Sequence, residues 1–354
     1  MTCAHCGRFG KRNRRFVYAK TKGEVEQRLL KLKQDSAMGT LVRPSRESLA
    51  DYLAEWLRVG KTYWAGSTSE GYAISVNKHI VPSLGRLRLQ QVEPRHIQGL
   101  YASLIANGAG QGVLTGVRRV LNKAFNDGLD AGRVPRNPAA RVKCPKTERA
   151  PRQTLSLDEV ETYLAAIAGH RLETLFVLAI FTTMREGELF GLQWSDIDFA
   201  QRAIFVKHAW KKGRDGKFEL GTTKTEKSRR RIALSVLAFD SLQAHRRRML
   251  VEKHGSTYVF CNEHTGTPLI RSNVLRRVHY PTLKTAGLPR LTFHDLRHTA
   301  ATILMALNVH PKVAQERLGH STIKTTLDLY SHATPTMQEQ AVSALDERFR
   351  KQGA

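Results

Sequence analysis

The sequence predicts a mainly α chain with a small antiparallel sheet, an α+β class, divided into two principal domains. Three observations carry this. Apolar residues recur every three or four positions through most of the chain, the period of a helix buried on one face. One stretch, "AIFVKHAWKKGRDGKFELGTTKTEKSRRRIAL", breaks that period with β-branched and aromatic residues separated by "GRDG" and a basic turn, which predicts short antiparallel strands. A third stretch, "NPAARVKCPKTERAPRQ", is rich in Pro, Arg and Lys and has no period, which marks a boundary. With 354 residues and 41% hydrophobic content, the chain is long enough for two cores.

At the N-terminus, "RRFVYAKTKGEVEQRLLKLKQ" reads as a short strand, a basic turn and an amphipathic helix, followed by "DSAMGT" as a linker. Residues 1–40 hold ten basic and three acidic side chains and are expected to form a small basic module. Its "CAHCG" places Cys3, His5 and Cys6 together as half of a zinc site, and whether they hold metal is open. Residues 45–145 are expected to form a four-helix domain. Leu49, Tyr52, Leu53, Trp56 and Leu57 share a helix face. Tyr72, Val76 and Ile80 continue the pattern, then Ile97, Leu100, Tyr101, Leu104 and Ile105, then Val117, Val120, Leu121, Ala124 and Phe125. The glycine-rich "NGAGQGVLTG" has no preceding strand and no following Gly-Lys-Ser/Thr, so it reads as a turn and helix start rather than a phosphate loop. Residues 150–354 form the second domain, opened by a capping box of Ser156 and Glu159. Near the C-terminus, Met337, Ala341, Leu345 and Phe349 make a narrow apolar stripe. Whether it packs in cis or on a neighbouring copy is open.

The balance of 57 Lys and Arg against 31 Asp and Glu gives +26, beyond what solubility requires, and points to a polyanion, above all nucleic acid. The apolar run "LFVLAIF" is too short to span a bilayer, and the N-terminus has no apolar signal region. Four cysteines fit a reducing compartment. The expectation is a cytoplasmic protein with no membrane partner.

The segment "FHDLRHTAATILMAL" supports two chemistries. His294 and His298, four apart, suit a metal, and "HDLRH" departs from the zinc-protease pattern only by Asp295 for Glu, with His310 or His320 as a third ligand. Against a metal, Arg297 would set a fixed positive charge beside a dication. For a phosphate, the planar fork of Arg297 matches two oxygens, and His294 one turn earlier adds a group that donates or moves a proton. An isolated H-x-x-R is usually just a core histidine beside a solvated arginine. This one has company: Arg185 and Glu188 in "TTMREGELFGLQW", Lys224 in "TTKTEKSRRRIAL", and His320 and Tyr330 in "RLGHSTIKTTLDLYSH".

These segments, in this order and spacing, resemble the catalytic motifs of the tyrosine recombinase (phage integrase) family across the whole second domain. The resemblance implies a helical core-binding (SAM-like) domain followed by the catalytic domain, with residues 1–40 similar to the end of an arm-type DNA-binding module. It implies that Arg185 and Arg297 are the site arginines, Lys224 the hairpin lysine, and His294 the histidine of H-x-x-R. His320 is then the second histidine, Tyr330 the nucleophile and Glu188 the acidic support of Arg185, while Asp295 and His298 are structural. Thr183 stands where the family commonly has glycine, and the expectation is that this leaves the reacting groups untouched.

The implied function is a site-specific recombinase that cuts and rejoins DNA through a 3′-phosphotyrosyl link, integrating or excising a phage or mobile element, without cofactor or metal. Implied partners are double-stranded DNA at attachment-type sites, three further copies in a homotetramer, and accessory DNA-bending or excision-directing proteins. The alternatives are a chromosome-resolution or transposon-type recombinase, a non-catalytic DNA-binding regulator and a zinc hydrolase.

Overall fold

The computed structural model describes residues 17–37, 42–147, 153–213, 215, 217–222, 229–252 and 255–319, together with 322, 323, 326, 327, 342, 343, 346 and 349. Two compact units divide the chain, Met1–Arg149 and Ala150–Ala354. Among the described residues no helix is long and apolar enough to cross a membrane.

In the first unit, α1 (Lys22–Ala37) runs on through Asp35, Ser36 and Ala37, so half of the expected linker is helix. No strand precedes it over residues 17–19; residues 1–16, including Cys3, His5 and Cys6, lie outside the described residues. Helix α2 (Leu49–Gly60) starts at Ser48, whose hydroxyl accepts the Asp51 N–H. It buries Leu49, Tyr52, Leu53 and Trp56. The Tyr52 hydroxyl donates to the Ala124 carbonyl at 2.6 Å, and Trp56 Nε1 donates to Asp127 at 2.8 Å, so the two aromatic polar tips find partners on one neighbouring helix.

Helix α3 (Gly66–Ile74) widens into a π segment, Ser75–Ile80, before α4 (Val81–Leu84). Pro82 supplies the cause: it lacks an N–H and its ring crowds the carbonyl four residues back, so the ladder ahead opens. Helices α5 (Pro94–Ala106) and α6 (Gln111–Asp130) complete the bundle, with Ile97, Leu100, Tyr101, Val117, Leu121 and Phe125 in its core. Ile105, on the edge of the expected stripe, is 39% exposed. The glycine-rich stretch is the turn between α5 and α6, with Gly108 at φ +74° and Gly110 as the N-cap.

The second unit opens with α7 (Leu157–Ile167). Ser156 Oγ accepts the Glu159 N–H at 3.2 Å, and the Glu159 carboxylate accepts the Ser156 N–H at 2.7 Å. Helix α8 (Glu173–Phe181) is "LFVLAIF" in position, buried from Thr174 to Ile180. It is the hydrophobic axis of the unit. After α9 (Glu186–Phe190), strands β1 (Ile197–Asp198), β2 (Ala203–Val206), β3 (His208–Lys212), β4 (Phe218–Thr222) and β5 (Arg230–Ala233) follow. They form two antiparallel sheets rather than one: a three-stranded sheet in the order β1-β2-β5 and a separate β3-β4 pair.

Helix α10 (Val236–Glu252) packs on α8. Helix α11 (Arg271–Val274) passes through a second π segment, Leu275–His279, into α12 (Tyr280–Thr285), and again a proline, Pro281, follows the widened turn. Helices α13 (Phe293–Ala306) and α14 (Pro311–Leu318) close the described unit. His279 is fully buried between the Tyr163 hydroxyl at 2.8 Å and the Leu291 carbonyl at 3.0 Å, and burial pushes it down to about 4. It is a neutral core histidine.

Candidate active site

The chain turns sharply between α8 and α9, and the turn is built on Thr183. Its φ of +57° lies in the left-handed region that glycine favours, and for a β-branched residue this costs on the order of 1–3 kcal/mol. The sequence expectation for Thr183 concerns only the reacting groups, and the structure adds its part in the turn that holds them. Its carbonyl, directed inward by this backbone, accepts from Arg297 Nη1, and its hydroxyl donates to the Arg317 carbonyl at 2.9 Å. Thr183→Gly is expected to stay within about 1 kcal/mol of the parent, because relief of strain offsets the lost hydroxyl bond and the greater freedom of the unfolded chain. Thr183→Val, which keeps the strain and loses the bond, is expected to be the less stable of the two in thermal melts; the reverse order would show that φ is not the controlling cost.

Two residues on, Arg185 is the N-cap of α9, and Glu188 is its third residue. One Glu188 oxygen accepts the Arg185 N–H at 2.8 Å and the other accepts Arg185 Nη1 at 2.9 Å. Glu188 is 3% exposed and Arg185 38%, so the carboxylate holds the guanidinium from beneath.

A second arginine reaches Glu188. Arg230 lies on β5 opposite Val206, and Ile232 opposite Ile204; a strand alternates with period two, so Arg230 shares the inward face of Ile232. Its Nη1 and Nη2 donate to the two Glu188 oxygens at 3.1 and 2.8 Å. Burial alone would raise the Glu188 pKa, but the hydrogen bonds and charge of Arg230, then the Arg185 N–H and charge, hold it below the usual carboxylate range.

Arg297 comes from α13, whose first turn is fixed by Thr292 N–H and hydroxyl donating to Asp295 at 2.8 and 2.6 Å. Arg297 faces inward with Phe293, Leu296 and Ala300 and is 4% exposed. Its Nη1 donates to the Thr183 carbonyl and its Nη2 to the Leu318 carbonyl. Burial, with the charges of Arg185 and Arg230 and against the pull of Glu188, pushes it down to about 9, so it remains charged at neutral pH.

The end of α14 ties these parts together. Three consecutive carbonyls accept from three different arginines: Arg317 O from Arg230 Nε at 2.9 Å, Leu318 O from Arg297 Nη2, and Gly319 O from Arg185 Nη2 at 2.7 Å. The last carbonyls of a helix have no partner within it and carry the negative end of its dipole, so they suit guanidiniums. Gly319 sits at φ +62°, and a Cβ there would meet Arg230 at 3.0–3.2 Å. Arg185, Arg230 and Arg297 against Glu188 leave a net charge of +2. Guanidiniums already oriented by carbonyls, with Arg185 the exposed member of the three, make a phosphate-gripping arrangement.

Of the residues named from sequence, the structure thus brings Arg185, Glu188 and Arg297 together. His294 is exposed on the first turn of α13, its ring edge-to-face with His298 at 4.8 Å between centroids. Asp295, which a zinc hydrolase would need as general base, is the third residue of α13 and accepts from its N-cap Thr292, and His310 caps α14 by accepting the Lys312 N–H at 3.2 Å. Lys224, His320 and Tyr330 lie outside the described residues, as do Met337, Ala341 and Leu345; Phe349 is exposed. Sequence reasoning missed Arg230, one of several cations after Lys224, although its two-residue offset from Ile232 was available as a signal of burial.

Comparison with known proteins gives the family and the fold. Residues 153–337 match the model of the phage integrase family, and residues 48–105 match that of the phage integrase N-terminal SAM-like domain. A tyrosine recombinase XerC-like protein of Caldanaerobacter subterraneus subsp. tengcongensis is 30% identical over 96% of this chain and 93% of its own. The Tn1549 transposon integrase, solved in complex with a circular intermediate DNA, shares the fold with a TM-score of 0.71 at 22% identity, over 84% of this chain and 99% of its own. A lambda integrase, solved as a tetramer bound to a Holliday junction, gives a TM-score of 0.60 at 20% identity over 89% and 88%. The class defined is that of enzymes that cut and rejoin DNA. The chain belongs to the phage integrase family of tyrosine recombinases.

Proposed function

We propose that this chain is the integrase of a phage or other mobile element, acting as a homotetramer on attachment-type sites in double-stranded DNA. The observation that supports it best is the convergence of Arg185, Arg230 and Arg297 on Glu188 and the carbonyls of residues 317–319. A phosphodiester repels nucleophiles until its nonbridging oxygens are neutralised. Arg185 and Arg297 do this. The Tyr330 oxygen attacks phosphorus in line, the bond to the 5′ oxygen breaks, and a 3′-phosphotyrosyl link forms. His294 accepts the tyrosine proton or donates to the phosphate, and His320 donates to a nonbridging oxygen. Lys224 protonates the departing 5′ oxygen, a role open to an ammonium but closed to a guanidinium. A 5′ hydroxyl from another strand then attacks the phosphotyrosine and rejoins the DNA. A cavity of about 600 Å³, lined by Arg229, Arg230, Arg231, Lys312 and Arg317 with Glu316 as the acid among them, is basic on balance, which fits a polyanionic partner.

The test is covalent trapping. A duplex recovered by binding selection from a random-sequence library, nicked near its centre so that the released fragment diffuses away, is expected to accumulate protein–DNA adduct. Adduct formation is expected to continue in EDTA, since arginines and lysine neutralise the charge. Activity lost in chelator and restored by zinc would instead assign the step to a metal at "HDLRH".

The basic residues 1–40, with α1 among them, are proposed as a separate DNA contact of arm type. Deleting them is expected to spare cleavage of the isolated duplex while lowering recombination of a full attachment site and flattening the salt dependence of binding. Equal recombination by the shortened chain counts against the module.

A further inference from the structure

Arg230 holds Glu188 more fully than Arg185 does. Its fork lies along both carboxylate oxygens, its Nε is fixed to the Arg317 carbonyl, and its side chain is 7% exposed against 38% for Arg185. Glu188 carries one negative charge. With Arg185 as its only partner, the pair would be neutral, and an approaching phosphate would meet a guanidinium already matched by the carboxylate behind it. A second guanidinium on that carboxylate changes the balance.

We infer that Arg230 is a positioning residue that occupies Glu188 and thereby leaves the charge of Arg185 available to the scissile phosphate. The inference rests on the phosphate role proposed above for Arg185. Among the described residues, the charged groups around Glu188 are Arg185 at the start of α9 and Arg230 from β5, with Arg297 of α13 acting at longer range; Arg317 of α14 acts on Arg230's side of the pair. The division of labour follows from exposure: the buried arginine satisfies the carboxylate, and the exposed one faces DNA. Arg230 is the leading influence that keeps Glu188 ionised against its burial. Without Arg230, burial raises the Glu188 pKa, and below that raised value the carboxyl becomes neutral and no longer opposes the phosphate.

The test uses the full chain, the nicked duplex described above and four variants: Arg230→Met, Arg230→Lys, Glu188→Gln and the Arg230→Met, Glu188→Gln pair. Single-turnover adduct formation is followed from about pH 5.5 to 8.5, with a thermal melt and a DNA-binding titration for each protein. Arg230→Met is expected to bind the duplex within a few-fold of the parent and to form adduct about 100-fold more slowly at high pH, the scale of losing one charge-stabilising group. The deficit should shrink as pH falls and Glu188 takes up a proton. Arg230→Lys, which keeps the charge, should recover most of the rate. Adding Glu188→Gln should remove the pH dependence, and the paired variant should match Glu188→Gln alone, since Arg230 then has no carboxylate to occupy. A deficit of equal size at every pH, or a paired variant much slower than Glu188→Gln, would show that Arg230 only supports the fold. The paired comparison also decides the matter if Arg230→Met alone does not fold. No adduct from the parent protein overturns the proposed function and this inference together; adduct from the parent with unaffected Arg230 variants overturns the inference alone.

Discussion

Tyr330→Phe is expected to bind its DNA within a few-fold of the parent protein and to form no covalent adduct at all. Phenylalanine keeps the ring and removes only the oxygen proposed to attack phosphorus, while the arginine cluster and the basic surfaces are unchanged. A phenol has a reference pKa of about 10, so the role proposed for Tyr330 calls for cations and a base, proposed to be His294, to make it a nucleophile. Denaturing gels of protein incubated with the nicked duplex give the answer. An adduct band persisting in the Phe variant assigns the link to another residue.

Arg297→Lys is expected to have a large effect too, and its pH dependence is diagnostic. Arg297 spans two carbonyls, Thr183 on one side and Leu318 on the other, and a single ammonium cannot reproduce that planar fork. The surroundings matter as much. Burial and the charges of Arg185 and Arg230 push the guanidinium down to about 9. A lysine starts lower than an arginine, at about 10.4, and the same burial and neighbouring cations push it down further, so it gives up its proton more readily than Arg297 does. Adduct formation by Arg297→Lys is therefore expected to fall about 100-fold at pH 8, the scale of losing one charge-stabilising group, and to recover part of that loss towards pH 6 as the ammonium is restored. A rate that declines further on acidification would show that this position is not short of positive charge.

Much of the fold is legible in the sequence where one face of an element is apolar. The helical faces of residues 49–56, 97–104 and 117–125 are buried as their spacing predicts, and Ser156 with Glu159 marks a helix start that the hydrogen bonds reproduce. Periodicity does not extend to the π segments ahead of Pro82 and Pro281, because a widened turn keeps nearly the same apolar pattern. It also does not separate β3-β4 from the three-stranded sheet, a matter of which strands pair rather than which residues form strands.

At the site, Arg185, Glu188 and Arg297 stand out by motif. The means by which they are held do not, since Arg297 donates to the carbonyls of Thr183 and Leu318 and Arg185 to that of Gly319, main-chain oxygens that no residue type advertises. Thr183 shows the same limit: its identity suggests a minor change from glycine, whereas its backbone angle is what aims a carbonyl at Arg297.

The three acceptors at the end of α14 belong to the peptide chain itself, so replacing the side chains of residues 317 and 318 does not delete them. Their directions depend instead on how many residues separate Pro311 from Gly319. Each residue of an α-helix turns the chain by about 100°, so one deletion or insertion within α14 would swing all three oxygens away from their arginines together. In a set of diverging copies of this gene, point changes along α14 are therefore tolerable where packing allows, whereas length changes are not; and a single-codon deletion there would be a compact way to silence the enzyme while leaving every catalytic side chain in the sequence.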